Sequence, residues 1–271
     1  MRKLAHLIVM FVSIVALTVA SADAKGTHGG GHHVGHAYSG HKHLHLHTGA
    51  HHLAFSRHYH HVFTRHWWAN HPHLHNYYWH HNIWLNHHWR YWWRPATWVG
   101  LSSWIAWNWG RSLTYNYGSN FYYSDDSVYF KGRRLCSAAE YYDQAVLILE
   151  KIPKIADNKE QWMPLGVFSV TLEDNKPSKK VLQLAISKEG VLQGTYFNMD
   201  KDTARPIKGM VDKKSQRAVW TFADDDDNSM IMETGISNLT KDATNIIVHF
   251  GKDRTETWQI VRLKEPPDEQ E

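Results

Sequence analysis

Residues 181–198 read VLQLAISKEGVLQGTYFN, and the fold turns on this stretch. Leu182, Leu184 and Ile186 recur at every second place, Lys188-Glu189-Gly190 interrupts them, and Val191–Asn198 resumes an apolar run. A period of two on either side of a short polar break with glycine is the pattern of two antiparallel strands joined as a hairpin. The pattern extends both ways. Eight runs follow one another: Met163–Leu172, Val181–Lys188, Val191–Asn198, Ile207–Asp212, Arg217–Ala223, Met230–Ile236, Asn245–Phe250 and Thr255–Leu263. Phe168, Val170, Leu172, Leu182, Leu184, Ile186, Trp220, Phe222, Ile246, Val248, Phe250, Trp258 and Ile260 are expected to face inward. Their links, such as Lys213–Gln216, are short. Sequential strands with hairpin links predict a mainly β fold with an eight-stranded antiparallel up-and-down barrel over 161–264; a two-sheet sandwich is the alternative. Closure would leave the sheet no exposed edge.

Working outward, 111–160 reads as a small α/β connector. Asn120–Tyr123 and Ser127–Lys131 flank Asp125-Asp126, a hairpin signal. Ser137-Ala138-Ala139-Glu140 has capping-box spacing, so a helix is expected to begin there. Tyr142, Ala145, Val146 and Leu149 form its apolar stripe, and Pro153 ends it by withholding a backbone donor. Residues 265–271 form a polar tail.

Upstream the composition changes sharply. Of 23 histidines, 21 lie between His28 and His88, and of 14 tryptophans, 11 lie between Trp67 and Trp109. Lys25–Ser124 carries seven Lys and Arg and no Asp or Glu, a formal +7, whereas Asp125–Glu271 sums to −4. A cationic, aromatic arm over 25–110 is therefore expected in front of an acidic body that folds without it. Lys25–Gly49 has too few large apolar groups to offset the entropy of ordering, so disorder is expected there. Periodicity does not decide between helix and irregular collapse for Tyr77–Trp93. Thr97–Trp107 is expected to be a short amphipathic helix, with Trp98, Leu101 and Ile105 at helical spacing. A bland role for the tryptophans is a small core against the connector helix.

Residues 1–24 read as an export signal: Arg2 and Lys3, an apolar run from Leu7 to Ala20, and the small-x-small site Ala22-Asp23-Ala24. The run falls short of the roughly 20 residues that span a membrane. Cleavage after Ala24 is expected, with an uncleaved anchor as the alternative, and the protein is expected in the periplasm or at the cell surface. Cys136 is the only cysteine, so stability must come from packing. It reads as a small apolar residue ahead of the helix.

Several stretches carry a resemblance: Thr97-Trp98 with Ser103-Trp104, Tyr115-Asn116-Tyr117-Gly118, Trp162–Phe168, Gly194-Thr195-Tyr196, Gly209–Arg217, Met232-Glu233-Thr234-Gly235 and Val248-His249-Phe250. From about Trp98 to Leu263 the chain resembles bacterial mu-protocadherin-like cell-surface proteins. The resemblance implies export and a cell-surface location and supplies no reaction or catalytic residues. Cadherin repeats need acidic calcium motifs such as D-x-N-D-N, and none occurs.

Chemically, the histidines are the strongest signal. Imidazole binds zinc, copper and nickel. His41, His43, His45 and His47 alternate, as do His71, His73 and His75, so an extended chain would set each group on one side. Many overlapping spacings point to several weak metal sites; the bland reading is a solvated low-complexity tract. Basic and aromatic residues together also suit an anionic partner, such as an envelope polymer or membrane surface. Histidine's reference pKa is about 6.5, so mild acid would raise that charge. Export argues against nucleic acid. Asp224–Asp227 is a solvated turn or a weak calcium site, and Asn238-Leu239-Thr240 matches a glycosylation sequon. No Gly-rich phosphate loop occurs, and the arm lacks the carboxylate that an H-E-x-x-H zinc site uses as base. His249 is the only histidine of the body, with no nucleophile beside it in sequence. The expectation is a non-enzymatic exported envelope protein with a metal- or anionic-surface-binding arm. A small-ligand carrier using the barrel interior is the alternative.

Overall fold

A computed structural model describes residues 37–38, 59, 61–76, 88–153, 161–171, 179–225 and 227–266, with 37–38 and 75–76 described by their backbone alone. Strand β1 (Ala37–Tyr38) comes first, then helix α1 (Arg65–Ala69) and two 3-10 turns, Pro72–Asn76 and Trp89–Trp93. Helix α2 (Trp98–Ile105) precedes a three-stranded sheet of β2 (Phe121–Ser124), β3 (Ser127–Phe130) and β4 (Arg133–Ser137), followed by helix α3 (Ala138–Leu149). Eight strands complete the chain: β5 (Trp162–Thr171), β6 (Lys180–Ser187), β7 (Val191–Asn198), β8 (Thr203–Val211), β9 (Arg217–Phe222), β10 (Ile231–Gly235), β11 (Ala243–His249) and β12 (Arg254–Arg262).

Each of β5–β12 pairs antiparallel with the next, and β12 returns to β5 from Gln259↔Thr171 to Arg262↔Phe168. The sheet is closed, so the architecture is the barrel and not the sandwich. The free start of β12 takes up β1 in parallel, with Tyr38 opposite Thr255. The period-two reading places the inner face correctly: Leu182, Leu184, Ile186, Trp220, Ile246, Val248 and Ile260 are all fully buried in one core. Phe250 is partly buried at its margin, and Leu172 lies outside the described residues.

One barrel end is stoppered by α2. Thr97 caps this helix by accepting from the Gly100 amide at 3.1 Å, and Ala106, left-handed at φ +50°, ends it. Leu101 and Ile105 lie one turn apart and enter the interior core with Ala96. Burial of a leucine or isoleucine contributes about 1.5–3 kcal/mol each. At the same end Arg262 donates through Nη1 to the Leu165 carbonyl at 2.7 Å and through Nη2 to that of Leu239 at 2.6 Å. Gly166, at φ +127°, leaves the space this guanidinium fills; a Cβ there would collide with Arg262 Nη1. Burial pushes the Arg262 guanidinium pKa down to about 10, with nearby Asp242 opposing the shift only in part.

The outer wall is apolar too, because it is covered. Tyr59, Phe63, Trp67, Trp68, Trp92 and Trp93 pack on Val167, Val181, Ala185, Val191 and Phe197 of β5–β7. The tryptophan-rich stretch is therefore part of the same compact unit as the barrel, His36–Glu271, and its ring core lies on the barrel wall instead of against the connector helix. The physical reason is area: the wall of β5–β7 offers apolar residues on both faces, which an alternating pattern alone does not reveal. Residues 25–36 and 39–58, which include most of the stretch expected to be disordered, lie outside the described residues.

The connector covers β8–β10. Its hairpin turns at Asp125-Asp126, both left-handed, and the capping box forms, with Glu140 Oε2 accepting from the Ser137 amide at 2.7 Å. The buried stripe of α3 is Tyr141, Ala145, Ile148 and Leu149, which meets Val219 and Ile231. Tyr141 and Ile148 replace the expected Tyr142 and Val146, which are only partly buried.

Candidate functional site

Of the histidines expected to bind metal, the described residues include His71 and His73, with His75 placed by its backbone. His41, His43, His45 and His47 lie outside the described residues. His71 is buried: its Nδ1 is 2.7 Å from the Trp67 carbonyl, and its ring stacks on Trp67 at 3.8 Å. His73 is exposed, its ring 6.0 Å from that of His71, and His75 is placed by backbone alone. Pro72–Asn76 is a 3-10 turn, so the extended chain that would align His71, His73 and His75 is not adopted. Proline at the start fixes φ for a helical turn and removes a donor such a turn does not need. Among the described residues, no group of three or more His, Cys, Asp or Glu is placed to hold a metal ion.

A buried ionic cluster sits under α3. Arg217 at the start of β9 donates through Nη2 and Nε to Glu233 Oε2 of β10, at 2.6 and 2.9 Å. It also donates to Gln144 Oε1 at 3.0 Å and to the Tyr141 carbonyl at 3.2 Å, and stacks 3.7 Å over the Tyr141 ring. His249 of β11 brings Nε2 within 3.0 Å of Glu233 Oε1 and Nδ1 within 3.2 Å of Thr255 Oγ1. Burial works against charge on Glu233, but Arg217 and His249 outweigh it and hold the carboxyl below its usual range. For Arg217, burial opposes charge and Glu233 restores it, leaving the guanidinium above its ordinary value.

Carboxylate, imidazole and hydroxyl in series resemble the orienting half of a nucleophilic triad. Here Glu233 and His249 are 0% and 1% exposed, with Tyr141 and Tyr142 packed over them. The cluster joins strands β9, β10, β11 and β12 of the barrel to the helix; it is a tie, not an open reaction centre. Sequence reasoning noted His249 but missed its partners. The signal was a single charged or ionisable residue within each of three otherwise uncharged strands: Arg217, Glu233 and His249.

The barrel interior is packed with large apolar side chains, Phe168, Leu182, Leu184 and Trp220 among them, and closed at one end by Leu101 and Ile105. Outside that end lies a second aromatic arrangement. Trp98 and Trp109 stack at 5.8 Å and 16°, and Trp107 meets Trp109 edge-on at 5.2 Å. Trp107 rests on the β6–β7 turn, where a Cβ on Gly190 would collide with its ring. Trp109 Nε1 donates to the Lys213 carbonyl at 2.9 Å. Lys188 Nζ lies 5.0 Å from the Trp104 ring centre, and Lys213 Nζ lies 5.9 Å from that of Trp107. All four indoles are partly exposed and pack on the interior core. The result is a fixed aromatic rim with ammonium groups on its surface, able to meet an anion while presenting apolar ring edges.

The remaining sequence candidates are structural. Cys136 is buried, and burial followed by the nearby Glu140 pushes its thiol up, so it is an unreactive thiol. Asn238 is fully buried and donates through Nδ2 to the Tyr115 carbonyl at 2.7 Å, which leaves no accessible amide for a glycan. Asp224 pairs with Arg205 at 2.6 Å, and Asp225 accepts from the Ser229 hydroxyl and from the Asp227 amide, so both carboxylates serve the turn. No helix among the described residues is long and apolar enough to cross a membrane. No protein-family model matches the chain, and neither curated proteins nor solved structures offer a match.

Proposed function

We propose that this chain is a non-enzymatic, exported envelope or cell-surface protein whose barrel rigidly mounts a face that binds an anionic surface. The observation that supports this reading is the tryptophan–lysine rim on the stoppered end of the barrel. Its rings are held in place, its ammonium groups are exposed, and so little side-chain freedom is lost on contact. Export rests on the Arg2-Lys3 start, the apolar run Leu7–Ala20 and the Ala22-Asp23-Ala24 site. The histidine-rich segment adds an acid-responsive cationic tract, with weak capacity for zinc, copper or nickel. The small-ligand carrier reading is disfavoured by the large apolar side chains in the interior.

Retention of the full chain on purified anionic envelope polymer and on phospholipid vesicles, with and without anionic headgroups, tests the reading. Binding is expected to weaken as salt rises and to strengthen from pH 7.5 to pH 5, as imidazoles gain charge. Retention that ignores salt, pH and the exposed-lysine reversals Lys188→Glu and Lys213→Glu would overturn it. Zinc calorimetry at the same two pH values tests the metal capacity: neutral imidazole is the ligand, so zinc should bind at pH 7.5 and leave near pH 5.

A further inference from the structure

We infer that the face made by Trp98, Trp104, Trp107, Trp109, Lys188 and Lys213 seats in the headgroup layer of an anionic lipid bilayer. The inference rests on the anionic-surface reading and names which surface it is.

The two chemistries that suit tryptophan beside lysine make different demands on the indole. A sugar ring docks on a free, flat indole face. In this rim one flat face of each indole is engaged: Lys188 lies over Trp104, Lys213 over Trp107, and Trp98 and Trp109 stack on each other. The indoles stay partly exposed, and the lysines beside them are exposed. A bilayer interface accepts that combination, with the indole body at the acyl boundary and the amine among the phosphates. Val99, next to Trp98, is 73% exposed, the most exposed large apolar side chain described, and it supplies an aliphatic group at the same helix start. The charge is complementary. Lys188, Lys213, Lys214 and Arg111 are exposed on the rim and its continuations, against two exposed carboxylates of that barrel end, Glu189 and Asp242. The other nearby carboxylate, Asp212, is occupied by Ser215 and Lys151. The geometry is preformed, because Trp107 is pinned on Gly190 and Trp109 on the Lys213 carbonyl.

The test places a reporter on the rim of the full chain. Val99→Cys is labelled with an environment-sensitive fluorophore; buried Cys136 stays unlabelled, which the unsubstituted chain checks in parallel. Leu147→Cys on α3, 55% exposed, carries the same label as the comparison site. With phosphatidylglycerol vesicles the label at 99 is expected to shift to the blue, and the label at 147 to remain in water. Phosphatidylcholine vesicles and soluble dextran sulfate should produce no shift at either site. A lysine near an anionic leaflet is worth about fivefold in partitioning, so Lys188→Glu with Lys213→Glu should weaken binding at least about 25-fold. A label at 99 that stays in water while the chain still binds vesicles or dextran sulfate overturns the lipid inference and leaves the anionic-surface reading standing. Equal shifts at 99 and 147 also overturn it. No binding to either probe removes both.

Discussion

Trp67, Trp68, Trp92 and Trp93 cover β5–β7 with a layer of indole rings, whereas α3 covers β8–β10 with an apolar stripe tied down by Arg217, Glu233 and His249. The ring layer is held by area. Trp67 and Trp93 bury their Nε1 groups without a hydrogen bond, and the layer tolerates this because each indole removes so much apolar surface from water. The α3 cover is held by direction. Its guanidinium reaches Glu233 on β10 and both Gln144 Oε1 and the Tyr141 carbonyl on α3 at once, so only one placement of the helix satisfies it. A non-directional cover can be repacked, but a directional one breaks when a single partner is lost.

The largest effect is expected from removing the ring layer and the stopper together. A chain beginning at Ser112 loses the tryptophans on β5–β7 and also Leu101 and Ile105 of the interior. The sequence alone predicts a barrel that folds without its arm; because the arm supplies those contacts, the expected outcome is instead loss of a cooperative melt by circular dichroism. A sharp transition in the truncated chain would show the cover to be dispensable. Next come two single substitutions. Glu233→Ala leaves Arg217 buried without its carboxylate and should cost about 3–5 kcal/mol in urea unfolding. Replacing Arg217 as well with methionine should recover part of that loss, which separates the orphaned charge from lost packing. Trp220→Ala, in the interior, should also cost about 3–5 kcal/mol, and a loss below about 0.5 kcal/mol would place it outside the core.

Acid should probe the directional cover selectively. Glu233 has a folded-state carboxyl below its unfolded value, so its contribution is complete above the unfolded range of about 4.3 and is lost as pH falls through the folded value. Glu233→Gln should flatten that part of the stability–pH curve, and an unchanged curve would assign acid lability to other carboxylates. The smallest effect is expected from Ser137→Ala, which removes the α3 cap and should cost about 1 kcal/mol.

The inner face of the barrel was legible because most strands repeat large apolar residues at a period of two, and Val191–Asn198 is placed to the residue. The capping box at Ser137 was legible because its chemistry is local. The outer wall was not. Val181, Ala185 and Val219 read as spacers until a partner covers them, and what covers them lies far along the chain. The ionic cluster was hidden for a related reason. Arg217, Glu233 and His249 are 16 residues apart in turn, and they meet only once strand register is fixed. On α3 the stripe turned by about one residue because Tyr141, not Tyr142, stacks on Arg217. At the rim, the sequence exposed Trp98 and Trp104 as parts of a helix, but Lys188 and Lys213 were only turn residues until the hairpins brought them to the stoppered end.

Closure of β5 by β12 also sets an order in time. The Arg262–Leu165 bond spans 97 positions in the chain, and the Leu263 amide reaches back to the Val167 carbonyl. Contacts this distant in sequence form late and slow folding. Until residues 254–262 have been made, β5–β11 can only be an open sheet with two bare edges, each a template for another chain. Completion is therefore abrupt: the last strand removes both edges at once, and Arg262 locks the seam. A chain ending near residue 253 would keep seven strands of sequence and lose the property that keeps copies apart.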